Sequence, residues 1–285
     1  MSKGAEEKVK LLMITKENAG EFSGLFDEAL LQNEPIVGAG CLDDEENPIG
    51  AALLDSDGER LIISSIVVEE ESRRQGAGSL MLDGIMEMSE AAGTDTVEAY
   101  FTGEEAENFY INNGFLVSEA APIYMINAGR LAKNPSLQKE IKKGRVSSLK
   151  ELSNSAKGKL TKILGEKGYL SLPDQYDENL SFVCTDEKGN PVAFILSVYL
   201  FDDDIIRVEH LVNLDPGHPE NVMDLLIAGV SGLNSNFVSP DTNIEFVSVN
   251  DKVFRFIEKT VGGEENIKSC GSLLHAVKAT VAPEG

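Results

Sequence analysis

Ser64-Ser65-Ile66-Val67-Val68-Glu69-Glu70-Glu71-Ser72-Arg73-Arg74-Gln75-Gly76-Ala77-Gly78-Ser79-Leu80-Met81-Leu82 is the stretch that decides the fold. Its first part continues a β-branched run from Leu61 to Val68, as expected of a strand covered on both faces. Glu69 to Ser72 break that run as a polar turn. From Ser79 onward Leu80, Met81, Ile85 and Met88 recur at helical spacing, with Gly84 on the same face and Gly93 as a stop signal. The order is strand, turn, glycine-opened helix. The first N–H groups of a helix lack partners and sit at the positive end of its dipole, which makes a site for phosphate. Gly76 and Gly78 have no side chains to keep a diphosphate off the backbone, and Arg73 and Arg74 add cationic donors. A glycine-rich strand-to-helix turn without a ligand fits the same residues.

The following segment bears on that choice. Thr96 to Phe101 reads as another strand. After it comes Ala106-Glu107-Asn108-Phe109-Tyr110-Ile111-Asn112-Asn113-Gly114-Phe115. The pair Arg73-x-x-Gly76-x-Gly78 and, one strand later, Ala106-x-x-Phe109-Tyr110-x-x-x-Gly114-Phe115 resembles the GNAT superfamily of N-acetyltransferases. The resemblance covers roughly residues 9 to 127. It implies an α/β (α+β) fold, a mixed and mostly antiparallel sheet flanked by helices. It also implies acetyl-CoA as co-substrate, no metal, and a small-molecule or peptide amine as acceptor. Carried onto this sequence, Arg73, Arg74, Gln75, Gly76, Ala77, Gly78 and Ser79 would hold the diphosphate. Backbone groups of Ile66, Val67 and Val68 would hold the pantetheine arm and polarise the thioester. Tyr110 matches the family tyrosine near the sulfur and would protonate the leaving thiolate; an aromatic packing residue is its plainer reading. Two positions depart from the family. Gly103 stands where many members carry Asn. Ser64 stands near where many carry the acid that deprotonates the amine, which leaves Glu98 on the next strand, or water, for that step.

The chain has 285 residues, room for two domains. Expected elements are strands at Val9–Ile14, 36–42, 49–54 and 61–68, a helix over Glu21–Leu31 opened by Thr15, and a final strand pair within 115–126. From Arg130 to Lys167 the sequence turns polar and helical. The second half then reads as a diverged copy of the first, the fold thus repeated twice. Pro48-Ile49-Gly50-Ala51-Ala52 answers to Pro191-Val192-Ala193-Phe194-Ile195, and Ile66-Val67-Val68 to the run His210 to Leu214. The expected division is 1–127 and 128–285. The second turn, Asp215-Pro216-Gly217-His218-Pro219-Glu220, lacks donors and carries acids, so the second copy is expected not to bind the cofactor.

Net charge is −23, and residues 1–127 hold 26 of the 48 acids but 7 of the 25 basic residues. That balance excludes nucleic acid as a natural partner. It suits a cationic amine, or merely a solvated acidic surface. No apolar run reaches the 18 residues of a membrane span, and no signal-peptide core opens the chain, so no membrane partner and a cytoplasmic location are expected. Cys41, Cys184 and Cys270 read as reduced thiols, His210 and His218 as no metal pattern, and His275 as structural. A homo-oligomer is compatible with these features. The competing function is a non-catalytic acyl-CoA-binding sensor or scaffold.

Overall fold

A computed structural model describes residues 9–26, 37–141, 144–166, 176–236, 238–247 and 251–280. The chain packs as two compact units, Met1–Glu119 with Leu274–Gly285, and Ala120–Leu273.

In the first unit, β1 (Lys10–Ile14), β2 (Val37–Leu42), β3 (Pro48–Ser56) and β4 (Arg60–Val68) form an antiparallel run. Helix α1 (Ala77–Ala92) then crosses to β5 (Thr96–Phe101), which lies parallel to β4. Such a crossover is what a parallel neighbour requires. Helix α2 (Glu104–Asn112) follows. Met81, Leu82 and Ile85 of α1 pack with Val97, Ala99, Tyr110 and Phe115 on one face of the sheet. The other face buries Ala51 and Leu53 against Ile14, Ala19 and Phe22. The far edge of β5 is paired by a strand from the end of the chain, Leu274↔Phe101 through Ala279↔Thr96.

Several sequence expectations are corrected. Ala19–Phe22 is a 3-10 turn, so the described part of the expected helix 21–31 is not α-helical. Asn18 accepts the Thr15 N–H there, the reverse of the expected cap. Residues 27–36 lie outside the described set. The expected strand pair within 115–126 is a single strand, β6 (Leu116–Asn127). The helical stretch 130–167 is broken into α3 (Ala128–Ala132), a 3-10 turn, the strand β7 (Val146–Ser148) and α4 (Asn154–Glu166). The β-branched Val146 with two serines is a short strand that pairs with Phe182–Cys184, a tertiary partner that periodicity cannot reveal.

The second unit repeats the plan. Its strands β8 (Phe182–Thr185), β9 (Pro191–Leu200), β10 (Ile205–Asn213) and β11 (Asn243–Val247) follow β7, with α5 (Glu220–Ser235) and α6 (Asp251–Val261) after β10 and β11. The sheet of this unit runs β6-β11-β10-β9-β8-β7. The final strand, β12 (Lys268–Ala279), carries the chain back to the first unit. The repeat holds residue by residue. The β2–β3 register shifts between Cys41 and Leu42, opposite Pro48, and the β8–β9 register shifts between Cys184 and Thr185, opposite Pro191. In both hairpins an aspartate caps the turn. Asp43 Oδ1 accepts from the N–H of Glu45 and Asn47, and Asp186 Oδ1 from those of Lys188 and Asn190.

Candidate functional site

β4 and β5 pair only from Arg60↔Thr96 to Ile63↔Ala99, then part. At the same level the β3–β4 register jumps from Leu54↔Ile63 to Leu53↔Ser65, so Ser64 is the extra residue of a β-bulge. The Ser64 hydroxyl donates to Leu53 O at 3.1 Å. A bulge bends its strand and re-aims its backbone. Beyond it, Ser65 to Val68 stay paired to β3 on one side and face the fork on the other.

The fork opens into a groove of about 1250 Å³. Ile66, Val67 and Val68 line it, as do Arg73, Arg74, Gly76, Ala77, Gly78 and Ser79, and from the other arm Tyr100, Phe109 and Tyr110. Every cofactor-binding residue singled out in the sequence except Gln75 is therefore in one groove. The Gln75 side chain instead donates to Glu71 O at 3.1 Å. Gly76 caps α1 with φ +93°, and Arg74 at φ +64° is left-handed as well. Glycine takes that conformation at no steric cost, whereas Arg74 adopts it under strain. Gly78 is required for a different reason than phosphate. A Cβ there would fall 2.9 Å from the Phe109 ring. The two sequence marks are thus in contact: the second glycine of one seats the phenylalanine of the other.

No acidic residue occupies the first turn of α1. Its N–H groups and the fork-side edge of β4 supply donors to an elongated anion, and the residues present fit acetyl-CoA. The corresponding turn of the second unit does not. Pro219 caps α5, His218 Nδ1 bonds Glu220 at 2.8 Å, and Arg145 reaches Asp224 at 3.0 Å and Glu220 at 3.9 Å. Its own acids take up the donors and cations in place of a diphosphate.

Tyr110 is 3% exposed and packs against Phe101, Phe109 and Phe115 at ring-centroid distances of 4.8, 5.2 and 5.3 Å. Burial pushes its hydroxyl up to about 12. Glu98 does not line the groove. It is buried in a cluster on the sheet face opposite α1 and α2. Arg60 approaches Oε2 at 3.3 Å, the Thr96 hydroxyl donates to Oε1 at 3.1 Å, and His275 Nε2 lies 3.0 Å from Oε2. The His275 ring stacks on Tyr100 at 4.6 Å, and Tyr100 reaches the groove. Asp55 shares this face, since it pairs with Ile62 and Ile62 with Glu98. Desolvation raises the Asp55 carboxyl, and the Ser64 hydroxyl works the other way. Cross-strand register brings Asp55 and His275 to this cluster, which periodicity along the chain does not show. Among the described residues no group of His, Cys, Asp and Glu could hold a metal, and no helix is long and apolar enough to cross a membrane.

The family model of the acetyltransferase (GNAT) domain matches residues 37–117. No curated protein sequence matches the chain. Solved structures do. A tandem GNAT protein from the clavulanic acid biosynthesis pathway aligns over 97% of this chain and 100% of its own at TM-score 0.62 and 11% identity. A putative acetyltransferase from Pyrococcus horikoshii aligns over 97% and 91% at TM-score 0.54 and 14% identity. A GCN5-related N-acetyltransferase from Sphaerobacter thermophilus aligns over 95% and 96% at TM-score 0.51 and 11% identity. At these identities the structures speak to fold, and the family model to residues 37–117. Residues 37–117 thus match a GNAT acetyltransferase domain, and the chain as a whole has the fold of a tandem GNAT protein, with the register of the first unit repeated in the second.

Proposed function

We propose that the protein is an N-acetyltransferase that passes an acetyl group from acetyl-CoA, held in the groove of the first unit, directly to an amine. The observation that carries this reading is the fork. A bulge at Ser64, an unpaired β4 edge and the glycine turn of α1 line one groove with Tyr110 on its far arm. Acetyl-CoA supplies the activated acyl group. Arg73 to Ser79 bind the diphosphate, and the β4 backbone beyond Ser64 holds the pantetheine arm and steadies the charge that develops on the thioester oxygen. As the amine nitrogen bonds to the acyl carbon, the C–S bond breaks and the thiolate leaves toward Tyr110.

An alkylamine must lose a proton to attack. Glu98 is engaged by Arg60 and Thr96, so its role is to hold Nε2–H of His275, which leaves Nδ1 as the nitrogen that accepts a proton through water. The acceptor is a small-molecule or peptide amine, drawn by the negative field of the chain.

The engagement of Glu98 also favours a second reading, an acyl-CoA-binding module without turnover. One experiment separates the two: release of free thiol from acetyl-CoA with a panel of primary amines, beside calorimetry with acetyl-CoA alone. Amine-dependent thiol release supports the enzyme. Binding at one site without thiol release across the panel supports the module. Absence of binding refutes both.

A further inference from the structure

The second unit carries a cleft of about 250 Å³ at a fork of its own. β10 and β11 run parallel from Ile205↔Asn243 to Val208↔Phe246 and then part. The β9–β10 register jumps between Val208 and His210, so Glu209 is the bulge residue, at the position Ser64 holds in the first unit. Glu209 to Val212 line this cleft as Ser64 to Val67 line the groove. The second unit has lost the diphosphate turn and kept the fork.

The chemistry of the cleft differs from that of the groove. Its walls are aliphatic, with Leu131, Leu226, Val230, Ile244 and Ile257 among them. Among its described lining residues Glu209 is the one carboxylate, and none is Lys or Arg. Glu209 is exposed and lines the cleft, yet the surrounding protein desolvates its carboxyl and raises its pKa, while Arg207 lowers it and Glu245 raises it further. Burial pushes the neighbouring His210 down to about 4, so at neutral pH it is uncharged and does not repel a cation.

We propose that this cleft is a second ligand site and that it takes a small amphiphilic primary amine, with the hydrocarbon among the aliphatic walls and the ammonium on Glu209. A carboxyl at the mouth of an apolar chamber is best satisfied by a cation with donors to spare, and an ammonium has three. An anionic head would meet Glu209 with no basic residue among the described lining to offset it. A neutral head would make a hydrogen bond but no ion pair. A dry cavity of about 150 Å³ accommodates benzene, so the larger cleft suits a body of roughly six to ten carbons. The site is separate from the groove, and the inference stands or falls independently of acetyl transfer.

The test is calorimetry of the full chain with hexylamine, hexanol and hexanoate, on the natural sequence and two variants. Gly229 lines the cleft on α5, and a Cβ there meets nothing within 4 Å, so Gly229→Leu fills the space. Glu209→Gln removes the charge and keeps the volume. The expected result is one hexylamine per chain, bound more tightly than hexanol, with hexanoate weakest. Glu209→Gln weakens hexylamine at least tenfold and leaves hexanol unchanged. Gly229→Leu abolishes both, while acetyl-CoA affinity is unaltered in either variant. Should Gly229→Leu fail to fold, the hexylamine-to-hexanol ratio in Glu209→Gln decides alone. No hexylamine binding, hexanoate binding as well as hexylamine, or hexylamine affinity untouched by Glu209→Gln would each overturn the proposal.

Discussion

Tyr110→Phe removes one hydroxyl from a ring that is 3% exposed and held by three other aromatics. The packing survives, so the change isolates what the hydroxyl does. Its pKa, pushed up to about 12, sets the size of the effect. An ordinary thiol titrates near 8.5, so full proton transfer from Tyr110 to the leaving thiolate is uphill by roughly 3.5 units, about 5 kcal/mol. The hydroxyl therefore acts by donating a hydrogen bond to the developing negative charge. Such a bond to a charged group is worth about 1.5–3 kcal/mol, or roughly 10- to 150-fold in rate. That is below the upper range of about 10⁴-fold for complete general acid catalysis. Thiol release at saturating acetyl-CoA and amine should fall by that factor in Tyr110→Phe, with the acetyl-CoA dissociation constant within about twofold of the natural protein. The rate should also show no alkaline limb from Tyr110 below about pH 11, because a hydroxyl near 12 keeps its proton there. Unchanged turnover would make Tyr110 a packing residue. A loss beyond about 10⁴-fold would show that the proton does transfer and that the argument from burial is wrong.

Gly78→Ala should weaken acetyl-CoA binding severalfold and lower the melting temperature, because the new methyl meets the Phe109 ring at 2.9 Å and Phe109 abuts Tyr110; thermal denaturation with and without acetyl-CoA reads both. A crystal soaked with acetyl-CoA should show one coenzyme per chain, at Gly76–Gly78, and density at His218 would refute the contrast between the two turns. His275→Asn should slow amine-dependent thiol release without changing acetyl-CoA affinity and regain rate with added imidazole, whereas Asp55→Asn should leave turnover near normal; the reverse pattern would move the base to Asp55. His210 is held near 4 against about 6.5 when unfolded, so its contribution is full above about pH 6.5 and is lost as pH falls through that window, up to about 3 kcal/mol. The raised Glu209 pKa acts in the opposite direction, so urea midpoints between pH 7 and 4.5 should fall less in His210→Phe and more in Glu209→Gln.

The fold was legible in the sequence where chemistry is local. The glycine turn and the Phe109-Tyr110 motif each depend on neighbours within about a turn of helix, and the hairpins of both halves are written in their Asp-to-Asn turns. The repeat was legible because Pro48–Ala52 and Pro191–Ile195 keep one register. What escaped depends on partners far along the chain. Val146–Ser148 is a strand only because Phe182–Cys184 pairs with it. The bulge at Ser64 is a mismatch between two strands, so neither strand shows it alone. Glu98 and His275 meet across 177 residues of sequence. Gly78 was read for a ligand, and its tightest constraint is Phe109.

The return of the chain to the first unit bears on how the protein is made. β5 finds its outer partner in Leu274–Ala279, so the first unit to leave the ribosome is the last to be completed. At about 5–20 residues per second, the sheet waits on the order of ten to thirty seconds between Glu119 and Leu274 with β5 as a bare edge. An unpaired edge invites pairing with another chain. For the same reason a fragment ending at residue 127 carries the groove but an unfinished sheet, and nascent chains stalled in the second half expose an edge that chaperones must shield.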